Sequence, residues 1–453
     1  MQQPVVSPPA DAELAQQALA VLEANRIGEV TRPSPLLYPH QWSWDSAFIA
    51  IGYARHDQER AQRELRVLFA AQWRNGLLPH IVFAEGDGRY FPGPDFWQVE
   101  RSLHAPLGAK TSGIVQPPIH ATAAWQVHRH ASDRRSALVF LEALLPRLAA
   151  WHGYLYRERT RGDDGLVEIW HPWESGMDNS PLWDDALGRI MFEPGDVPAY
   201  RRVDVEYGAV SERPTDHDYD RYAYLVKLFR DHRYQPEPIR EACPFAVRDV
   251  LFNAILVQSN RDLAAIARVL GEDAAPFEAW ADRTAAGLDG LWDAQHATYA
   301  DHDVRAGGPV ATRTAAGLTP LYAGVPSPAR ARLMVEGLLG SAVRTGDRGF
   351  VAPSLPVDDP RFQPNLYWRG PVWPVLNWLL YHGLVRYGYR AEAQQIRDAL
   401  IDLPRHGGFF EHYDPTTGRG HGGEQFAWTA ALTLDLLGSR MPATPPDAPK
   451  EKR

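Results

Sequence analysis

Apolar residues recur three and four positions apart along most of this 453-residue chain, the spacing that gathers them on one side of an α-helix. Residues 12–26 put Leu14, Ala18, Leu19 and Leu22 on one stripe, and residues 58–73 put Ala61, Leu65, Leu68 and Phe69 on another. The same period predicts helices over about 118–131, 135–158, 218–231, 246–270, 274–291, 328–339, 373–402 and 426–438. Strand-like runs are few and short, and one of them, Tyr154-Leu155-Tyr156, lies inside a helical pattern. The joins are uneven. A short one falls at 257–260, whereas 75–117, 160–217, 340–372 and 403–425 are long and irregular, and each holds an aromatic or charged cluster. Loops of that length inside a compact unit are usually functional. Two rings of alternating helices account for the pattern: a helical toroid whose long loops converge on one rim to form a cleft. No strict repeat is present, so a regular solenoid is not expected. The Pro-rich start and the Pro- and Lys-rich end are expected to be flexible, as residues 1–11 and 441–453, on either side of a single domain over 12–440.

Length and composition agree with an annular core. A single core usually stops growing near 250–300 residues, yet no Gly/Ser linker divides this chain. The net charge of −9 and the absence of a basic run argue against a nucleic-acid surface. Cys243 is the only cysteine, which excludes an internal disulfide and a Cys-based zinc site. No stretch reaches the roughly 20 apolar residues of a membrane span, and the N-terminus lacks a signal-peptide pattern. A cytoplasmic protein that contacts no membrane is the expectation, with a homo-oligomer left open. Phosphate-loop, dinucleotide, zinc-protease and nucleophile-elbow motifs are all missing. His406, His412 and His421 lie close in sequence but read as solvated or packed.

Six clusters carry candidate chemistry. In residues 170–180, Glu174 and Asp178 stand four apart with Gly176 between them and Trp170, Trp173 and Trp183 around them. A carboxyl group boxed in by indoles holds a proton near neutral pH, and indole faces suit the C–H faces of a sugar. The same residues also fit a turn capped by Glu174 over core Trp residues. Tyr38 to Asp45 offers Trp42, Trp44 and Asp45 as one side of a sugar site, or Ser43 as the cap of a helix starting near Trp44. Gln72 to His80 is followed by Tyr90 to Pro94 and by Gln116, within reach of a ligand just before a helix; Gly76 and Pro79 fit a turn. Arg213 could clamp a carboxylate with its guanidinium fork, beside Tyr219 and beside Asp216 and Asp218, which fit helix caps equally well. Tyr367 to Pro374 leads into a helix with Pro374 in its first turn. Finally, Glu411 stands in a Gly-rich loop between aromatics, where it could face the first carboxylate or simply belong to a packed turn.

Together and in this order, the clusters resemble glycoside hydrolase family 63, and more distantly trehalases. Trp173 to Ser180 is similar to the family's acid-bearing segment, Tyr367 to Pro374 to its second signature, and Phe410 to Asp414 to its base-bearing loop. Leu36 to Asp45, Gln72 to His80 and Tyr90 to Pro94 are similar to the compact bacterial hydrolases of glucosylglycerate and mannosylglycerate. The resemblance implies an all-α, (α/α)6-barrel fold and an inverting hydrolysis of an α-glycosidic bond. It implies Asp178 as general acid and Glu411 as general base. Trp42, Trp44, Asp45, Trp173, Trp368 and Trp373 would hold the sugar, and Tyr38, Tyr90, Gln116, Arg213 and Tyr219 the glycerate. Gly176 and Gln425 complete the substrate-binding set. The partner is a small-molecule glycoside, and the chemistry requires no metal or organic cofactor. Inversion needs room for a water, with the carboxyl groups roughly 6.5–9.5 Å apart, against about 5–5.5 Å for retention. Two rivals stand beside this reading: an α-glucosidase or trehalase-like hydrolase of a neutral disaccharide, opposed by Arg213 and Tyr219, and a non-catalytic sugar-binding barrel, opposed by the two carboxylates.

Overall fold

The computed structural model describes residues 10–193, 195–345 and 349–439. Most of the two ends expected to be flexible lies outside the described residues, and Asp11 already opens the first helix. Six helices form an inner ring: Ser43–Tyr53, His120–His130, Val250–Leu270, Pro320–Ala323, Pro374–Arg386 and Ala427–Gly438. Each touches the next, and the last touches the first. A helix surrounded on every side must be apolar on every side: all residues of Ser43–Tyr53 are buried, and nearly all of Pro374–Arg386 and Ala427–Gly438. The outer helices, Asp11–Ala24, Gln58–Ala70, Arg134–Glu158, Ala275–Asp289, Pro328–Ser341 and Arg390–Gly407, bury one stripe each, as Leu14, Ala18 and Leu22 do in the first. Alternation of the two kinds along the chain is the (α/α)6 barrel.

Two expected element boundaries are overturned. The run 373–402 is two helices, because Gly388 adopts a left-handed φ of 83° and turns the chain from the inner ring to the outer one. The polar stretch 257–260, read as a join, lies inside Val250–Leu270. Its side chains bond other helices instead of solvent: Arg386 donates to Gln258 Oε1 at 2.6 Å, and Asn260 Oδ1 lies 2.7 Å from His152 Nδ1.

Fourteen strands of two to five residues, counted among the described residues, pin the rim loops together. Gln41–Trp42 pairs antiparallel with Ile81–Val82. Glu168–Ile169 is an edge of a four-stranded sheet with Val247–Arg248, His302–Asp303 and Gly308–Pro309. Phe410–Tyr413 pairs with Gly420–Glu424, and Val372 exchanges backbone bonds with Tyr413 at 2.7 and 3.0 Å. Pairs this short leave no alternation for a sequence pattern to reveal. Among the described residues no helix is long and apolar enough to cross a membrane.

Candidate active site

Strand Glu168–Ile169 delivers the chain into a 3-10 turn, Pro172–Ser175, whose first N–H, from Trp173, is accepted by His171 Nδ1 at 3.0 Å. Ser175 Oγ donates to the Pro172 carbonyl and accepts the Met177 N–H, at 2.6 and 2.8 Å. Glu174 is fully buried and spoken for. Its two oxygens take Arg159 Nη1 and Nη2 at 2.9 and 2.6 Å, together with the N–H groups of Trp170 and Val115. The Arg159 guanidinium lies 3.9 Å over the Trp170 ring. Glu174 therefore anchors the segment, and Asp178 is the carboxyl that opens, partly exposed, to a cavity. Gly176 holds a left-handed φ of 75°, and a Cβ there would fall 2.5 Å from the Trp44 ring, so the turn and the indole close together only on glycine.

Glu411 lies on strand Phe410–Tyr413, not in the Gly-rich loop expected for it. It is buried and faces the same cavity as Asp178. Its Oε2 accepts the Gly423 N–H across the hairpin at 2.9 Å, and its Oε1 accepts the Tyr38 hydroxyl at 2.8 Å. The Tyr38 oxygen in turn accepts from Arg213 Nη1 at 3.0 Å and meets the Tyr367 hydroxyl at 3.0 Å. Arg213 Nε donates to Asp204 at 3.1 Å. Its Nη2 finds no acceptor among the described residues, which leaves an open edge on a cation at the cavity.

Electrostatics divide the two carboxyls. Burial pushes Asp178 up to about 7; Arg213 opposes the rise, and Glu411 and Asp204 add to it. Burial also raises Glu411, but Arg213, the Gly423 N–H and the Tyr38 and Tyr367 hydroxyls all hold it back. Asp178 can thus carry a proton near neutral pH, while a cation and three hydrogen-bond donors work to keep Glu411 ionised, the division that acid–base catalysis needs. Tyr38→Phe removes the hydroxyl through which Arg213 and Glu411 are joined. Its kcat/KM on an α-glycoside should fall roughly tenfold or more, as for loss of a hydrogen bond to a charged group. The acid limb of its pH–rate profile should move to higher pH, because one donor holding Glu411 down is gone; steady-state kinetics across pH check both.

The cavity is narrow, with a volume of about 60 Å³. Tyr38, Trp42, Trp44, Asp45, Tyr90, Gln116, Trp173, Gly176, Asp178, Arg213, Tyr219, Trp368, Trp373 and Glu411 all line it. Asp45 is buried, and burial, reinforced by Glu411, lifts its carboxyl well above the usual carboxylate range. Ser43 is inside its helix rather than capping it, and its hydroxyl meets His120; Gln116 Oε1 instead accepts the Trp44 N–H at 3.2 Å. Asp218 does cap the next helix, in a reciprocal capping box with Thr215. Trp373 is buried and stacks on Trp368 with centroids 3.7 Å apart, so it backs that side of the cavity. The Trp368 N–H bonds Asn179 Oδ1 at 3.0 Å and so ties the second signature to the acid segment. Gln425 is the exception. It is exposed, with a left-handed φ of 50°, and lines a broader outer cleft with Leu36, Glu212 and His421. The cavity adds Pro33, His80, Tyr367, Phe426 and Trp428. All but Pro33 stand in motifs or beside residues already singled out in the sequence; Pro33 carries no signal at all.

The model of the mannosylglycerate hydrolase MGH1-like glycoside hydrolase domain matches residues 38–429. The chain belongs to that family, within glycoside hydrolase family 63. It is 49% identical to a mannosylglycerate hydrolase of Rubrobacter radiotolerans, over 94% of this chain and 97% of the relative. It is 40% identical to a glucosylglycerate hydrolase of Mycolicibacterium hassiacum, over 94% of this chain and 98% of the relative. The crystal structure of the family 63 mannosylglycerate hydrolase of Thermus thermophilus, in complex with Tris and D-glycerate, superposes with a TM-score of 0.87 at 44% identity, covering 93% of this chain and 99% of that one. As a member of the MGH1-like family, the protein is a glycoside hydrolase, and the barrel with its rim cavity is the family's fold.

Proposed function

We propose that this protein hydrolyses the α-glycosidic bond of a glycosylglycerate, mannosylglycerate or glucosylglycerate, with inversion at the anomeric carbon. The observation that carries the reading is the open edge of Arg213 in a cavity shared with Asp178 and Glu411: a cationic fork for a small carboxylate, beside an acid–base pair. The activities named for the relatives support it. Asp178 gives its proton to the glycosidic oxygen as the bond breaks. Glu411 takes a proton from the water that attacks the opposite face of the ring. The Trp-lined side holds the sugar, and Arg213 with Tyr38 and Tyr219 holds the glycerate. Incubation with mannosylglycerate, glucosylglycerate, trehalose and kojibiose tests the proposal. Turnover of the first two, with the β-anomer of the sugar appearing first by proton NMR, is expected; cleavage of neutral disaccharides alone, or first release of the α-anomer, overturns it.

The same roles dictate a bell-shaped pH dependence. As pH rises through about 7, Asp178 loses the proton it must donate and kcat/KM falls. As pH falls through the raised value of Glu411, the base is neutralised and the rate falls again. Initial rates between about pH 4 and pH 9 should show the alkaline limb near neutrality. The reading takes residues 12–440 as one catalytic domain and is compatible with a homo-oligomer. A cytoplasmic setting is supported by the single buried Cys243, since the fold draws on no disulfide.

A further inference from the structure

We infer that His80 reads the sugar: its Nε2–H donates a hydrogen bond to one ring hydroxyl of the glycosyl unit and helps decide which sugar is accepted. This deepens the reading just proposed and rests on it. His80 is 3% exposed and lines the cavity. Its backbone is locked on both sides, its N–H on the Ile114 carbonyl at 2.8 Å and its carbonyl on the N–H of Ser43 at 2.9 Å. The Ser43 bond fixes it to the first turn of the helix that carries Trp44 and Asp45. The imidazole plane is within 13° of the Trp173 ring, with centroids 6.2 Å apart. It therefore belongs to the indole-lined side, and it makes no bond to the Arg213–Tyr38–Glu411 network.

The proton position follows from its partner. His80 Nδ1 lies 2.7 Å from Ser112 Oγ, and the same oxygen already accepts the Ile81 N–H at 3.0 Å. Ser112 is completely buried, and His80 Nδ1 is the only acceptor for its hydroxyl hydrogen among the described residues. Buried hydroxyls donate when an acceptor is in reach. Ser112 therefore donates to Nδ1, and the ring proton resides on Nε2. Nε2 meets no protein acceptor among the described residues, although the ring is a face of the cavity. An uncharged, rigidly aimed N–H beside an indole suits a neutral oxygen, and a sugar hydroxyl is the neutral oxygen this site receives. Burial, with His171 nearby, keeps the imidazole well below its ordinary pKa, so the donor does not titrate in the working range.

Calorimetric binding of glucose, mannose and their 2-, 3-, 4- and 6-deoxy analogues to the wild-type protein and to His80→Ala tests the inference. Free sugars carry no aglycone, so the outcome does not depend on whether glycosylglycerates are turned over. The wild type should bind one deoxy sugar roughly 10- to 100-fold more weakly than its parent, as for a lost hydrogen bond that leaves a buried donor unpaired. His80→Ala should bind that analogue and its parent alike and keep the other deoxy penalties, and His80→Gln should restore part of the discrimination. Unchanged penalties in His80→Ala, or no sugar binding by the wild type, overturn the inference. A measurement on the intact protein stands beside these: nitrogen-15 NMR should find the His80 proton on Nε2 and shift that signal on adding the preferred sugar, and an Nδ1–H tautomer refutes it.

Discussion

Asp178→Asn is expected to keep the fold and to lower kcat on a glycosylglycerate by roughly 10²- to 10⁴-fold, the usual yield of a positioned general acid. The substitution is isosteric, and the turn is held by Glu174, Ser175 and the Tyr222 hydroxyl on the Asp178 carbonyl. The decisive comparison uses a second substrate. An α-glycosyl fluoride has a leaving group that departs without a proton, so Asp178→Asn should recover most of the wild-type rate on it. Glu411→Gln should not, because the attacking water still lacks its base whichever group leaves. Glutamine cannot accept from both Tyr38 and Gly423 as Glu411 does, so a stability loss of about 1 kcal/mol is expected, too little to unfold a protein of this size. Circular dichroism and thermal melts beside the kinetics keep folding and chemistry apart. Rescue of Glu411→Gln by the fluoride, with none for Asp178→Asn, would exchange the two roles; wild-type rates of both variants on the glycosylglycerate would remove them.

The two carboxylates in the Trp-rich segment show where sequence stops. Glu174 and Asp178 have the same neighbours along the chain, and local chemistry favours neither. What separates them is Arg159, which folds back from the end of a long helix to take both oxygens of Glu174. No spacing rule announces a fifteen-residue return of that kind. The barrel itself was far more legible, because its two rings need opposite patterns: helices such as Pro374–Arg386, apolar all round, belong inside, and helices with one stripe belong outside. Errors came where a polar or glycine signal had a tertiary meaning. Gln258, Ser259 and Asn260 look like a turn because they are polar, yet they serve as buried or half-buried hydrogen-bonding partners between helices. The cavity lining was legible because most of the clusters sit beside a short strand pair or bridge that pins them to the rim. Gln425 lies outside the cavity for the opposite reason. The chain reverses there with positive φ, and Phe426 and Trp428 turn inward in its place.

Arg213→Ala is expected to separate binding of the acid from handling of the sugar. Loss of a buried, hydrogen-bonded charge opposite a ligand carboxylate costs roughly 2–5 kcal/mol, about 30- to 4,000-fold in kcat/KM for glycerate-linked substrates. An α-glycosyl fluoride or a neutral disaccharide has no carboxylate to lose and should suffer far less. The fold should survive, because Asp204 retains Arg202, whose Nε donates to it at 3.0 Å, and Tyr38 retains Glu411 and Tyr367. Arg213→Lys should rescue little, since an ammonium cannot bridge Asp204, Tyr38 and a carboxylate as the planar fork does. The pH profile supplies a second readout that packing alone would leave untouched. Arg213 lowers both Asp178 and Glu411, so its removal should carry both limbs of the bell to higher pH. Equal losses on glycerate-linked and neutral substrates, with both limbs unmoved, would make Arg213 a structural residue and return the choice of aglycone to an open question.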